Sequence, residues 1–330
     1  MDRKSFLIWL SGLTTSVMVS PATLWDEKAP PEDRWGKLLP LRKFGKTGEE
    51  ITMLGVGGSH VSWMNESDAQ RAIEMAIEGG VRFFDTAEQY GNGRSERYYG
   101  KFLTPKYRDE IFLMTKTQAR NAESARRDLE GSLRRLNTDY LDLWQIHSVN
   151  SARDVDNRIK EGVLEVVLEA KEEGKVRHVG FTGHRTPDAH LRMLEKAGEK
   201  LETCQMPVNV ADPSYNSFIL NVMSELRKQN YGIIAMKTLA NGGFFGGRSH
   251  GAHGDETSLI PDLLSVEEAL HFAWSLPVST VVSGFNNHEQ LQEKIDLARS
   301  FQQMNENQRQ QLIEKVADLA ESGEMEFYKA

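Results

Sequence analysis

From Leu38 onward, short apolar runs alternate with longer stretches whose apolar residues recur every three or four positions. The runs read as strands ending near Val56, Asp85, Lys116, His147, Phe181, Pro207, Met236 and Val282, roughly thirty residues apart except for a longer last interval. Between the first two, Ala69, Ala72, Ile73, Ala76 and Ile77 share one helical face, and Gly79-Gly80 closes the helix. Leu129, Leu133 and Leu136 mark a similar face before the fourth strand. Ahead of the series, Leu41–Phe44 and Ile51–Met53 flank Gly45-Lys46-Thr47-Gly48 and read as a hairpin. Beyond it, residues 306–319 read as a helix covering one end or rim. Strand and helix repeated eight times predict an α/β fold, a (β/α)8 TIM barrel with an N-terminal β-hairpin and a C-terminal helix. A doubly wound sheet is the alternative, but Gly55-Val56-Gly57-Gly58 lacks the G-x-G-x-x-G spacing of a dinucleotide fingerprint.

Two segments break the rhythm. Residues 241–262 are rich in glycine and read as a lid over the catalytic face or as a disordered insertion. Residues 1–36 read as a signal-like leader and linker, leaving 37–330 as the barrel domain. Arg3 and Lys4 precede an apolar run from Phe6 to Val19, too short to cross a bilayer comfortably, and Ser20-Pro21-Ala22 offers a small-x-small cleavage pattern. MDRKSFLIWL resembles a twin-arginine signal with Lys4 in place of the second arginine. The expectation is export as a folded protein through that machinery, to the periplasm or its equivalent; the alternatives are a retained anchor or a cytoplasmic protein.

Composition narrows the chemistry. Across 330 residues, 39% are hydrophobic and 27% charged, enough for a core and a solvated surface. A formal net charge of −8 argues against a nucleic-acid partner, which needs a basic stripe. One cysteine, Cys204, excludes an intramolecular disulfide and a Cys-ligated cluster.

The strand patterns VRFFD, IFLMTK and LDLWQIH end in or beside Asp85, Lys116 and His147. Barrel sites lie at the carboxyl ends of strands, so these side chains converge, and Tyr90 sits in a glycine-containing loop able to fold over the same mouth. A tyrosine ionises near pH 10, and bringing that down by about three units takes roughly 4 kcal/mol. An ammonium about 4 Å away supplies about that much at an effective dielectric of 20, with a carboxylate needed to keep the buried lysine charged. The reading is a phenol acidified by Lys116, Asp85 holding Lys116, and His147 polarising a carbonyl that receives hydride.

VRFFDTAEQYGNGRSERYYGKFL, together with IFLMTK and LDLWQIH, resembles the aldo-keto reductases, NAD(P)-dependent (β/α)8 barrels, over about residues 43–299. The resemblance implies a catalytic tetrad of Asp85, Tyr90, Lys116 and His147, with Tyr90 as proton donor and Asp85 also near the cofactor. It implies an aldehyde, ketone or alcohol as the small-molecule substrate. Thr182 in GFTGH and Gln205 in CQMPVN fall where the family holds the nicotinamide amide. In GIIAMKTLANGG, Met236 takes the place of the ring that stacks on nicotinamide, with Lys237, Thr238 and Leu239 beside the pyrophosphate. In VSGFNNHEQLQEK, Gly284, Phe285, Asn286, Gln290, Glu293 and Lys294 fall on the adenosine-phosphate segment. The family implies NADP, while Asn286 and Asn287, standing where a cation usually meets the 2′-phosphate, make NAD a serious alternative.

Two other readings stay open. One is a cofactor-sensing regulatory barrel without turnover. The other is a metal hydrolase using His147, His184 and His190, disfavoured because His190 falls in a helical pattern. Oligomeric state, natural substrate and reaction direction are not legible.

Overall fold

The computed structural model describes residues 31–245, 258–259 and 263–329. Residues 1–30, where a leader is expected, and most of the glycine-rich insertion lie outside the described residues. Eight parallel strands close into a barrel: β1 Leu54–Gly57, β2 Phe83–Asp85, β3 Phe112–Thr117, β4 Leu141–Ile146, β5 Val176–Thr182, β6 Thr203–Pro207, β7 Gly232–Met236 and β8 Thr280–Ser283. They pair in sequence order, and β8 closes on β1 with Val282 opposite Gly55. Each predicted strand end falls within one residue of the observed one.

Helices fill the intervals. Glu66–Glu78 and Ala122–Leu136 start at Asn65 and Asn121, whose side chains accept from backbone N–H groups three residues on. Both bury the alanine and leucine faces seen in the sequence. Among the described residues no helix is long and apolar enough to cross a membrane.

The hairpin pairs Leu41–Lys43 with Glu50–Thr52 and closes the amino end of the barrel. Phe44 and Ile51 join Phe83, Phe112, Met114, Leu143, Ile234 and Val282 in a core inside the strands. Phe83 and Phe112, each the first residue of its strand, stack at 5.2 Å, and Phe44 meets both edge-on. That end is therefore sealed, which leaves the carboxyl ends for chemistry. Residues 32–37, expected as linker, form a second hairpin instead. Its Asp33 carboxylate takes two bonds from the Arg82 guanidinium, and Trp35 packs edge-on against Tyr107.

The glycines of Gly55-Val56-Gly57-Gly58 serve barrel closure. A Cβ on Gly57 would stand 2.9 Å from the Ser283 carbonyl oxygen, so only glycine lets β1 and β8 approach here. At the other end of the chain, helix Glu306–Ala320 leads into a 3₁₀ segment, Glu324–Lys329. Lys329 is fully buried and donates to Asp212 at 2.7 Å, Glu326 at 2.6 Å and the Tyr215 carbonyl at 2.8 Å. The chain end is thus fastened beside the mouth.

Candidate active site

Asp85 ends β2, Lys116 stands near the end of β3, and His147 follows β4 directly, its N–H bonded to the Thr117 carbonyl at 2.8 Å. Between β2 and the next helix, Gly91, Asn92 and Gly93 all have positive φ. Three left-handed residues in a row turn the chain sharply back, which suits glycine and asparagine. Tyr90 is thereby folded over the mouth. Its hydroxyl accepts from Lys116 Nζ at 3.3 Å, and its ring meets the His147 ring edge-on at 5.9 Å between centroids. Lys116 also donates to Asp85 Oδ1 and to the Thr86 carbonyl at 2.8 Å. The other Asp85 oxygen accepts from Gln205 Nε2 at 3.2 Å, which ties β6 to the pair. All four residues singled out in the sequence meet at one point.

The electrostatics differ from expectation at Tyr90. Burial, with smaller contributions from Asp85 and Glu88, pushes its phenol well above the ordinary tyrosine range rather than below it. The chief reason is that burial takes the phenolate out of water; Asp85, which holds Lys116 closely, adds its own opposing charge. Burial pulls the Lys116 ammonium down while Asp85 pushes it back up. His147 is pushed well below the usual histidine range by burial and by the neighbouring charges of Lys116, His184, Arg158 and Lys237. It is uncharged at neutral pH, and its Nδ1 is buried without a partner. Glu88 is raised to about 7, chiefly by burial.

A cleft opens beside Tyr90 and Asp85. Gln205, Met236, Lys237, Thr238, Leu239 and Gly284, all named from the sequence, line it. Gln205 Oε1 is buried without a partner among the described residues, an acceptor suited to an amide N–H. Thr182 is buried at the end of β5 and does not line this cleft. Phe285 is packed into the main core, so its ring is spent on the fold. Asn286 is exposed, its backbone N–H bonded to Gln290 Oε1 at 2.9 Å; Glu293 is half-buried on the following helix. Lys294 is buried, donates to the Gly284 carbonyl, and is pulled down to about 8 by burial.

Six lining residues were not among the site residues read from the sequence: Gly57, Ser59, His60, Asn241, Val282 and Ser283. Ser59 and His60 lie on the short helix Gly58–Val61 after β1. His60 packs against Gly284, where any Cβ would collide with its ring. Their only sequence signal was position, directly after a strand end. His190 does not join the site. It lies in helix Pro187–Ala197, with its ring between Phe181 and Phe218. Among the described residues no group of three or more His, Cys, Asp or Glu is placed to hold a metal.

The model of the Aldo/keto reductase family matches residues 53–317. A curated relative, the L-galactose dehydrogenase of Arabidopsis thaliana, is 28% identical over 226 residues, covering 62% of this chain and 66% of the relative. The uncharacterized oxidoreductase YqkF of Bacillus subtilis is 26% identical over 326 residues, covering 88% and 98%. Among solved structures, the holo form of aldo-keto reductase AKR11C1 from Bacillus halodurans superposes with a TM-score of 0.68 at 21% identity, covering 84% of this chain and 96% of that one. That last likeness speaks for the fold.

Proposed function

This chain belongs to the aldo/keto reductase family, and from that membership we propose that Tyr90 passes its proton to the carbonyl oxygen of an aldehyde or ketone, with Lys116, Asp85 and His147 arranging the transfer. The protein is an oxidoreductase of the nicotinamide-dependent, carbonyl-reducing type. The observation that carries the assignment of roles is the Lys116–Tyr90 contact at 3.3 Å, made by an ammonium already held by Asp85.

A bound nicotinamide supplies the hydride. Gln205, through its unpartnered Oε1, and Met236 would hold its amide and ring, while Thr238, Leu239 and Gly284 would line the remainder. His147, uncharged, offers a hydrogen bond that polarises the carbonyl without giving up a full charge. The raised pKa of Tyr90 then becomes useful: the phenol keeps its proton until the substrate oxygen turns basic. As negative charge arrives on the phenol oxygen, the Lys116 ammonium 3.3 Å away contributes about 5 kcal/mol at an effective dielectric of 20. The opposing charge of Asp85 subtracts from that gross figure. Because the gain grows as charge develops, it lowers the barrier more than it stabilises the resting state.

The regulatory-barrel alternative is not favoured, since relatives are named as dehydrogenases and reductases and the four groups converge. The nearby cation Lys294 is committed to the Gly284 carbonyl, and Asn286 is uncharged, which supports NADH as a competitor of NADPH. The pattern of residues 3–22 supports export of the folded protein; fractionation of cells expressing the full chain tests it.

The function is tested with purified protein, NADH or NADPH, and a panel of aldehydes and ketones. Dinucleotide oxidation should match the carbonyl added, mole for mole. Tight dinucleotide binding with no consumption on any panel member would return the molecule to the sensing class.

A further inference from the structure

Lys237 follows β7 with a positive φ of 59°, an unusual conformation for a lysine, and so turns its side chain away from the strand direction. Its ammonium donates to Asn241 Oδ1 at 2.7 Å and stands over the Tyr328 ring at 5.6 Å. Among the described residues no carboxylate lies within ion-pair distance of it, although buried lysines are normally paired. Burial and the charge of Lys116 pull it down to about 8, as befits an ammonium without an anionic partner. Since Lys237 must face an acceptor, the orientation of the Asn241 amide is settled: Oδ1 points to the lysine. The donor end, Nδ2, is buried and has no partner among the described residues. Both residues line the cleft that holds Tyr90 and Gln205.

We propose that Lys237 and Asn241 form a receptor for an anionic group, a carboxylate or phosphate, carried by the carbonyl substrate itself. The inference rests on the reductase reading of the same cleft and names its substrate class. A cation and an unsatisfied N–H side by side match two oxygens of one anion, and an anion there supplies the acceptor that Nδ2 lacks. The dinucleotide's pyrophosphate has the same chemistry. The substrate is favoured because Lys237 lies on the side of the reacting groups: its charge acts on His147 and Lys116, and Tyr328 beneath it also meets the His184 ring. Lys116 is already balanced by Asp85, whereas Lys237 has no carboxylate partner among the described residues.

The test compares 4-carboxybenzaldehyde with benzaldehyde, and succinic semialdehyde with butanal, using the full chain and NADH or NADPH. Wild type should favour the carboxylated member of each pair in kcat/KM. In Lys237→Met that ratio should fall tenfold or more, in Asn241→Ala severalfold, and in Lys237→Arg it should largely persist. Asn241→Ala carries the test if the methionine variant fails to fold. A wild type that reduces both members equally overturns the inference and leaves the reductase reading standing. So does a Lys237→Met ratio equal to that of wild type. A loss falling equally on both members together with NADH affinity would assign the pair to the pyrophosphate and likewise overturn it. Reduction of neither aldehyde in any pair would count against the reductase reading instead.

Discussion

The Lys116 ammonium touches the Tyr90 hydroxyl at 3.3 Å, yet the phenol is harder to ionise than free tyrosine. Burial is the chief cause of the second fact, and Asp85 adds to it. By holding Lys116, Asp85 keeps a charged group inside the barrel, and its own charge opposes the field that would acidify Tyr90. The tyrosine is therefore built to keep its proton until the substrate oxygen demands it.

Removing one member of the buried pair should be worse than removing both. Lys116→Met leaves the Asp85 carboxylate without its cation and should cost about 3–5 kcal/mol of unfolding free energy. Asp85→Asn combined with Lys116→Met should recover most of that stability without recovering turnover. Urea unfolding of the two variants, beside their rates on one aldehyde, checks both halves; equal stability of the two would contradict a charge-paired core.

His190 should make the fold acid-sensitive. Burial pulls it down to about 4, whereas an exposed histidine protonates near 6.5. Between those values the unfolded chain binds a proton that the folded chain refuses, so stability is lost as pH falls from about 6.5 toward 4. The full loss from this residue is about 3 kcal/mol. His190→Phe keeps a ring between Phe181 and Phe218 and should flatten the stability profile over that interval. A wild-type slope in the variant would place the acid sensitivity elsewhere.

The fastened chain end should matter to the substrate side of the mouth. Lys329→Met leaves Asp212 and Glu326 buried without their shared cation, at about 3–5 kcal/mol. Tyr328 is bonded to Glu326 and to Asn209 and lies under Lys237, so its release should raise the KM for aldehyde more than the Kd for dinucleotide. Parallel changes in the two constants would show a general loosening only.

Cofactor choice should respond to charge on the segment after β8. Asn286 is exposed and uncharged, so Asn286→Arg should increase the preference for NADPH over NADH by about tenfold, the scale of one charge-assisted contact. Fluorescence titration with each dinucleotide reads this. An unchanged ratio would mean that the 2′-phosphate lies away from this residue.

What was legible in the chain follows from what is local. Apolar periodicity placed Asp85, His147 and Met236 at strand ends, and the structure moves only His147, to one residue beyond its strand, because strand and helix periods are written in adjacent residues. The cleft positions of Ser59 and His60 depend on β1 meeting β8, residues more than two hundred apart, and Gly-Gly-Ser-His reads locally as a turn. Glu326 and Lys329, near the chain end, resemble solvated charges until Asp212 is brought against them. The acidity of Tyr90 was misjudged because residue identities reveal that Lys116 is near, while only coordinates show how deeply the phenol is buried and that Asp85 holds the ammonium. Trp35 and Asp33 were read as linker since a two-residue strand carries no periodicity.

The most direct test of Tyr90 as proton donor is the turnover of Tyr90→Phe with dinucleotide affinity measured on the same preparation. Removing the hydroxyl takes away the transferable proton and leaves the ring in place against His147. Turnover should fall by about 10²–10⁴-fold while NADPH and NADH bind within a fewfold of wild type. Turnover within tenfold of wild type would mean that the proton comes from another group.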